Sequence, residues 1–168
     1  MREINYMEKS AEFMEQMSKG GGAFLTVQHG DEKNTMTIGW GQIGIIWGRP
    51  ILSVMVRLTR HTFKLIEEAD DFTVSIPWED MKKELAYCGS KSGADVDKFA
   101  ECDLKAISAQ KVKTPIIAMK GLHYECKTLL KSAMDPALMD TEIDTKIYPK
   151  KDYHTVYFGE IMACYETD

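Results

Sequence analysis

The sequence predicts a mainly β fold of the α+β class, a mostly antiparallel Greek-key barrel with helical insertions. Three observations point there. Segments with strand character dominate, several of them follow one another directly, and the helical segments are interspersed rather than alternating regularly with strands. That order suits an antiparallel barrel better than a doubly wound parallel sheet.

The elements follow in order. Residues 6–18 carry Tyr6, Phe13, Met14 and Met17 at helical spacing, and Gly20-Gly21-Gly22 ends that segment. Ala23–His29 is a β-rich run closed by the turn-like residues 30–34. A long second strand is expected over 35–47, with Met36, Ile38 and Trp40 on one face and Thr35, Thr37, Gly39 and Gly41 on the other. Gly48-Arg49-Pro50 reads as a turn, and residues 51–57 are apolar on both faces, as in a central strand.

A helix is expected over 59–69, with Thr59 as N-cap, followed by a strand over 72–76 that Pro77 stops. Residues 80–88 form a helix with Met81, Leu85 and Cys88 along one stripe and Gly89 at its end. Residues 90–99 read as a polar loop with a helical turn, which Asp95 is placed to cap. Over 121–131, Leu122, Tyr124, Cys126 and Leu130 alternate with His123, Glu125 and Lys127, and 154–165 is the last strand. With no repeat, linker or low-complexity tract, one domain over 1–168 is expected, opened by a helical segment over 1–19.

Composition narrows the function. The chain of 168 residues is 44% hydrophobic and 28% charged, with 21 basic against 26 acidic residues and a net charge of −5. A nucleic-acid partner is disfavoured, because it needs a basic field. The longest apolar stretch, 43–58, is broken by Arg49 and Arg57 and falls short of the roughly 18 residues of a membrane span. The amino end lacks a signal-peptide core, and the four cysteines form no C-x-x-C pair, so no metal site is expected and a reducing cytoplasm is.

Three segments concentrate chemistry. At residues 56–62, Arg57, Arg60 and His61 crowd the amino end of a helix whose other end carries Glu67, Glu68, Asp70 and Asp71. This is the reverse of what the helix dipole favours, and an anion bound there would relieve it through Thr59, Thr62, the guanidinia and free N–H groups. The competing reading has the arginines solvated or paired elsewhere. In residues 34–41, one strand face offers only Thr35, Thr37, Gly39 and Gly41, room for a flat ligand or for a barrel bend. In residues 88–99, serines, a lysine and glycines follow a helix, fit for a phosphate or an ordinary loop, without P-loop spacing.

Taken together these segments resemble the flavin reductase-like family, particularly its flavoredoxin-like branch of FMN-binding split barrels. The likeness runs in order through Gly22-Ala23-Phe24-Leu25-Thr26-Val27, Asn34-Thr35-Met36-Thr37, Gly48-Arg49-Pro50, Arg57-Leu58-Thr59-Arg60-His61-Thr62, Phe72 to Pro77, Cys88-Gly89 to Lys98-Phe99, and His154-Thr155. The resemblance implies that Asn34, Thr35, Met36 and Thr37 line the isoalloxazine, with Thr37 a hydrogen-bond partner near N5. It implies that Arg57, Thr59, Arg60 and Thr62 hold the FMN phosphate, and that Cys88, Gly89, Ser90, Ser92, Lys98 and Phe99 cover the cofactor. It further implies a homodimer reducing flavin with NADH or NADPH and passing electrons to a redox protein or small-molecule acceptor, with His154 near the nicotinamide. Lys151-Asp152-Tyr153-His154 departs from the Gly-Asp-His of many two-component reductases, which leaves an FMN electron carrier without nicotinamide activity as the alternative. Residues 133–147 match no family motif and are expected to shape the substrate entrance.

Overall fold

The computed structural model describes residues 2–168, so Met1 of the expected helical segment lies outside the described residues. Strand β1 (Arg2–Glu3) and helix α1 (Ser10–Lys19) come first, and α1 buries Phe13 and Met17, four residues apart on one face. Strands β2 (Ala23–His29) and β3 (Glu32–Ile38) form a hairpin in which His29 pairs with Glu32. Its turn is only Gly30-Asp31, with Gly30 at φ +58°, so the expected turn over 30–34 shortens and Asn34 enters the strand.

The single strand expected over 35–47 is two. The chain leaves β3 at Ile38, breaks at Gly39-Trp40 and resumes as β4 (Gly41–Ile46) on the opposite edge of the sheet. The break rotates Trp40 out of the Met36 and Ile38 face, leaving it 45% exposed. The next turn is Trp47-Gly48, both with positive φ, and Arg49 and Pro50 already belong to β5 (Arg49–Arg57), opposite Ile46 and Ile45. Such a two-residue turn matches the twist of its strands, which is why the turn sits one residue earlier than Gly-Arg-Pro suggests.

Helix α2 (His61–Glu68) leads to β6 (Asp71–Pro77), α3 (Lys82–Ser90), α4 (Lys98–Glu101), β7 (Ala106–Ile107) and β8 (Ile116–Ile117). Strand β9 (Gly121–Ala133), a 3-10 turn (Pro136–Leu138), α5 (Thr141–Ile147) and β10 (His154–Thr167) complete the chain. The main sheet is antiparallel in the order β3-β2-β6-β9-β10-β5-β4, with β1 on β10 and β7–β8 as a separate pair. After β5 the chain crosses to place β6 between β2 and β9, the jump of a Greek key. The unpaired edges β3 and β4 meet at Gly39-Trp40, so the barrel is split there. Where β9 and β10 slip register at Gly159, a Cβ would come within 2.5 Å of Phe72 Cζ, so only glycine lets the sheet close on that ring.

Strand β9 departs from the expected alternation. His123 and Glu125 are buried as completely as Leu122 and Tyr124, while Leu130 is exposed. The reason is a second layer: the segment between α4 and β9 covers their face, strapped by two buried carboxylates. Glu125 accepts from Gln110 N, Lys111 N and the Tyr165 hydroxyl, and Asp71 accepts from Lys113 N and Thr114 N.

Candidate functional site: a split groove along β3

Between the start of α2 and the end of α3 lies a cavity of about 70 Å³, lined by Thr59, Arg60, Thr62, Ser90 and Ser92 among others. The expected N-cap Thr59 is displaced: Arg60 occupies the cap position without a side-chain cap bond, and the Thr59 hydroxyl donates instead to Asp152 Oδ2 at 2.7 Å. The first turn of α2 holds no acidic residue, so its N–H groups and partial positive charge are uncompensated within the helix. Asn34 Nδ2 donates to Thr62 Oγ1 at 2.8 Å, joining β3 to α2. Arg60 and Lys91 supply the cationic groups of this cavity, Lys98 in its wall being engaged by backbone carbonyls, and no carboxylate lines it. That donor set is suited to an anion.

A second cavity of about 160 Å³ continues along β3, lined by Thr37, Gly39, Trp40, Arg57 and His154, and it shares Met36 and Arg60 with the first. The Thr37 hydroxyl donates to the Leu85 carbonyl at 2.6 Å, so its proton is not free for a ring nitrogen. Its backbone is better placed. The Thr35 carbonyl turns away from β2 to accept Lys98 Nζ at 3.0 Å. Two residues on, the Thr37 N–H and C=O point the same way from this edge strand.

Lys98, expected to cover the cofactor, is engaged within the fold. It is buried, donates to the carbonyls of Thr35 and Cys88 (the latter at 2.7 Å), and has its pKa lowered by desolvation. It pins the end of α3 to β3. Gly89 lies inside α3 rather than after it, and its bare Cα faces the Thr37 side chain, where a Cβ would sit 3.3 Å from Thr37 Cβ. Cys88 is buried with its thiol pushed up to about 12 by desolvation, which leaves it inert. Phe99 lies under Lys33 Nζ and lines a cavity of about 490 Å³ with Asp31 and Lys33, which adjoins the anion cavity through Asn34, His61, Gly93 and Lys98. Asp97, not Asp95, caps the following turn.

Arg57 also stands apart from the anion end. Its guanidinium donates to the Asp152 carbonyl at 2.8 Å and lies 5.0 Å from the centre of the Tyr148 ring. His154 is 2.8 Å from the Tyr148 hydroxyl and 5.1 Å from the Trp40 ring. Burial, then the positive charge of Arg57, lowers its pKa to about 4, so it is neutral at pH 7. The structure therefore gathers Asn34, Met36, Thr59, Arg60, Thr62, Gly89, Ser90 and Ser92 at one end and Thr37, Arg57 and His154 at the other. Trp40, Met55, Tyr148 and Asp152 join them unforeseen. Asp152 stands in the Lys151-Asp152-Tyr153-His154 stretch on the approach to the last strand, whereas Tyr148 directly follows the 133–147 segment that matches no motif.

A family model for a flavin reductase like domain matches residues 16–168. The chain belongs to the flavin reductase-like family. Among solved structures, this family member resembles flavoredoxin from Methanosarcina acetivorans, at 26% identity and a TM-score of 0.67, over 87% of this chain and 68% of that one. An FMN-binding protein from Thermus thermophilus aligns at 21% identity and a TM-score of 0.65, over 86% and 68%. An NADH:FAD oxidoreductase of Streptomyces globisporus aligns at 18% and 0.66, over 86% and 74%. The last two likenesses show the fold alone, and that fold is the FMN-binding split barrel. The groove of this flavin reductase-like chain fits a flavin mononucleotide. Its carboxylate-free cationic end matches a phosphate, and its glycine-lined strand edge offers a flat ring close backbone approach.

Proposed function

We propose that this chain binds FMN and reduces flavin at the expense of NADH or NADPH, passing the electrons to a redox protein or a small molecule. The observation that carries the reading is the continuity of the groove: a cationic pocket without carboxylates opens, through Met36 and Arg60, onto a cavity walled by Trp40 and neutral His154. Arg60 would bind the phosphate with the Thr62 and Ser92 hydroxyls and the start of α2, while the Ser90 hydroxyl already donates to the Tyr87 carbonyl at 3.3 Å. The Thr37 backbone would orient the ring edge. Bound FMN would supply the two-electron redox chemistry between the nicotinamide and the acceptor. Neutral His154 would accept a hydrogen bond beside the ring without adding a charge.

Exposed Ile45 and Trp47 on the β4–β5 hairpin, with Leu130 and Met162 on β9 and β10, support a homodimer. The four free thiols are consistent with a reducing cytoplasm. A second reading, an FMN electron carrier without nicotinamide activity, is favoured by the way Trp40 and Tyr148 close on His154.

The test is the visible spectrum of the purified protein, the identity of flavin released on denaturation, and an FMN titration. Near-stoichiometric FMN is expected, and Arg60→Ala should weaken binding about 10- to 100-fold, the scale of a charged hydrogen bond. Arg57→Ala should weaken it less, because Asp152 and Tyr148 already engage that guanidinium. Failure to bind FMN overturns both readings. Bound FMN with no oxidation of either nicotinamide leaves the carrier.

A further inference from the structure

Strand β9 ends at Ala133 and β10 begins at His154; the connection carries the 3-10 turn and α5 over a cavity of about 560 Å³. Trp40, Met55, Leu138, Met139, Ile143 and Tyr148 are among its walls, and no lysine, arginine or histidine lines it. Its polar groups are engaged: Asp135 caps the 3-10 turn, and the Tyr148 hydroxyl contacts Met134 Sδ and His154 Nδ1. A charged or phosphorylated ligand would be desolvated there without compensation. Over 134–153 the acids Asp135, Asp140, Glu142, Asp144 and Asp152 outnumber Lys146, Lys150 and Lys151, and the lysines Lys146 and Lys151 are paired with Glu142 and Asp144.

Apolar side chains on this connection are left uncovered, with Leu138 at 86% and Ile143 at 49% exposure. Met55, Met134 and Met139 give the walls adaptable shape. Trp40 and Met55 also line the ring-end cavity, so the two spaces adjoin.

We propose that this cavity is the acceptor compartment and takes an uncharged, flat aromatic or quinoid molecule, apart from the cationic groove where an anionic cofactor belongs. The assignment rests on the flavin-reductase reading. The overall reaction balances: NAD(P)H and one proton yield NAD(P)+, while a quinone takes up two electrons and two protons to become its hydroquinone.

The probe is menadione, with quenching of tryptophan fluorescence as the readout, since Trp40 lines the cavity. Saturable quenching is expected, with binding at least ten-fold weaker for anthraquinone-2-sulfonate, which is anionic. Ile143→Glu, and separately Leu138→Glu, should each weaken menadione at least ten-fold while the FMN dissociation constant stays within two-fold. Both side chains are largely exposed, and circular dichroism with thermal melting confirms that the variants fold. Absence of quenching overturns the proposal, including the case where a second copy of the chain covers the cavity in a dimer. Equal binding of the two quinones, or menadione binding indifferent to both substitutions, overturns it as well. The quenching needs no flavin, so a chain that fails to bind FMN overturns the flavin-reductase reading alone, and this measurement still decides the pocket.

Discussion

The Tyr148 hydroxyl lies 2.8 Å from His154 Nδ1 and 3.2 Å from Met134 Sδ. A phenol has one hydrogen, so both contacts are satisfied together only when His154 carries its proton on Nδ1 and donates it to Tyr148, which donates in turn to sulfur. Nε2 then keeps its lone pair, on a ring that lines the cavity beside Trp40. This arrangement makes His154 an acceptor toward the groove. Nitrogen NMR at pH 7 should show the Nδ1–H tautomer, and Tyr148→Phe should return the ring toward Nε2–H. An unchanged tautomer in the variant would assign the role to another partner.

Acid should destabilise the fold through His123. This ring is buried between the Ser75 and Thr167 hydroxyls, and desolvation lowers its pKa to about 4. The unfolded chain, near 6.5, binds more protons between those two values, so acidification favours unfolding. The neutral ring's contribution is complete above about pH 6.5, and on the order of 3 kcal/mol is lost as pH falls to about 4. Denaturant midpoints measured across this window should fall in the wild type. They should fall less in His123→Gln, and parallel curves would remove His123 as the cause.

Gly93→Ala tests the link between β3 and the loop after α3. A Cβ there would overlap Asn34 Oδ1, and Asn34 is held by its 2.8 Å bond to Thr62. Displacing it should cost about 1–2 kcal/mol of stability, the scale of one buried hydrogen bond plus local strain. FMN affinity, measured by titration, should drop about ten-fold because Thr62 loses its support, one 1.4 kcal/mol step.

Lys98→Met removes the ammonium that holds the carbonyls of Thr35 and Cys88 together. Leaving both acceptors buried and unpaired should cost about 2–4 kcal/mol in denaturant unfolding, with slackened FMN binding. Lys98→Ala, which also leaves a cavity, should be worse. A neutral outcome would show that the loop is held by packing of Leu85 and Cys88 instead.

Glu125→Gln should act at a distance from the groove. The carboxylate accepts from two backbone N–H groups and Tyr165, while an amide presents only one acceptor oxygen. Hydrogen exchange at residues 110 and 111 should accelerate while β9 and β10 stay protected. Uniform acceleration would mean that the strap is part of the global unfolding unit.

Much of this protein was legible in one dimension. The strands over 51–57, 72–76 and 154–165, the β2–β3 hairpin and the acid-free start of α2 all depend on neighbours a few residues apart, through side-chain alternation, turn residues and helix polarity. The connection over 133–147 was opaque for a physical reason: Leu138 and Ile143 stay exposed, so no buried stripe sets a helical period. Local rules also failed wherever a distant group intervened. Thr59 gives up its cap because Asp152, on the approach to β10, takes its hydroxyl. Lys98, expected only to cover the cofactor, becomes a clamp because the carbonyls of Thr35 and Cys88 converge on it from β3 and α3. Trp40 leaves the core face because β3 and β4 lie on opposite edges of one split sheet. Residue types and short spacings determined what chemistry this chain could host. Only the tertiary structure decided which donors remain unspent for a ligand, since each proton and lone pair is claimed by whichever partner the fold brings nearest.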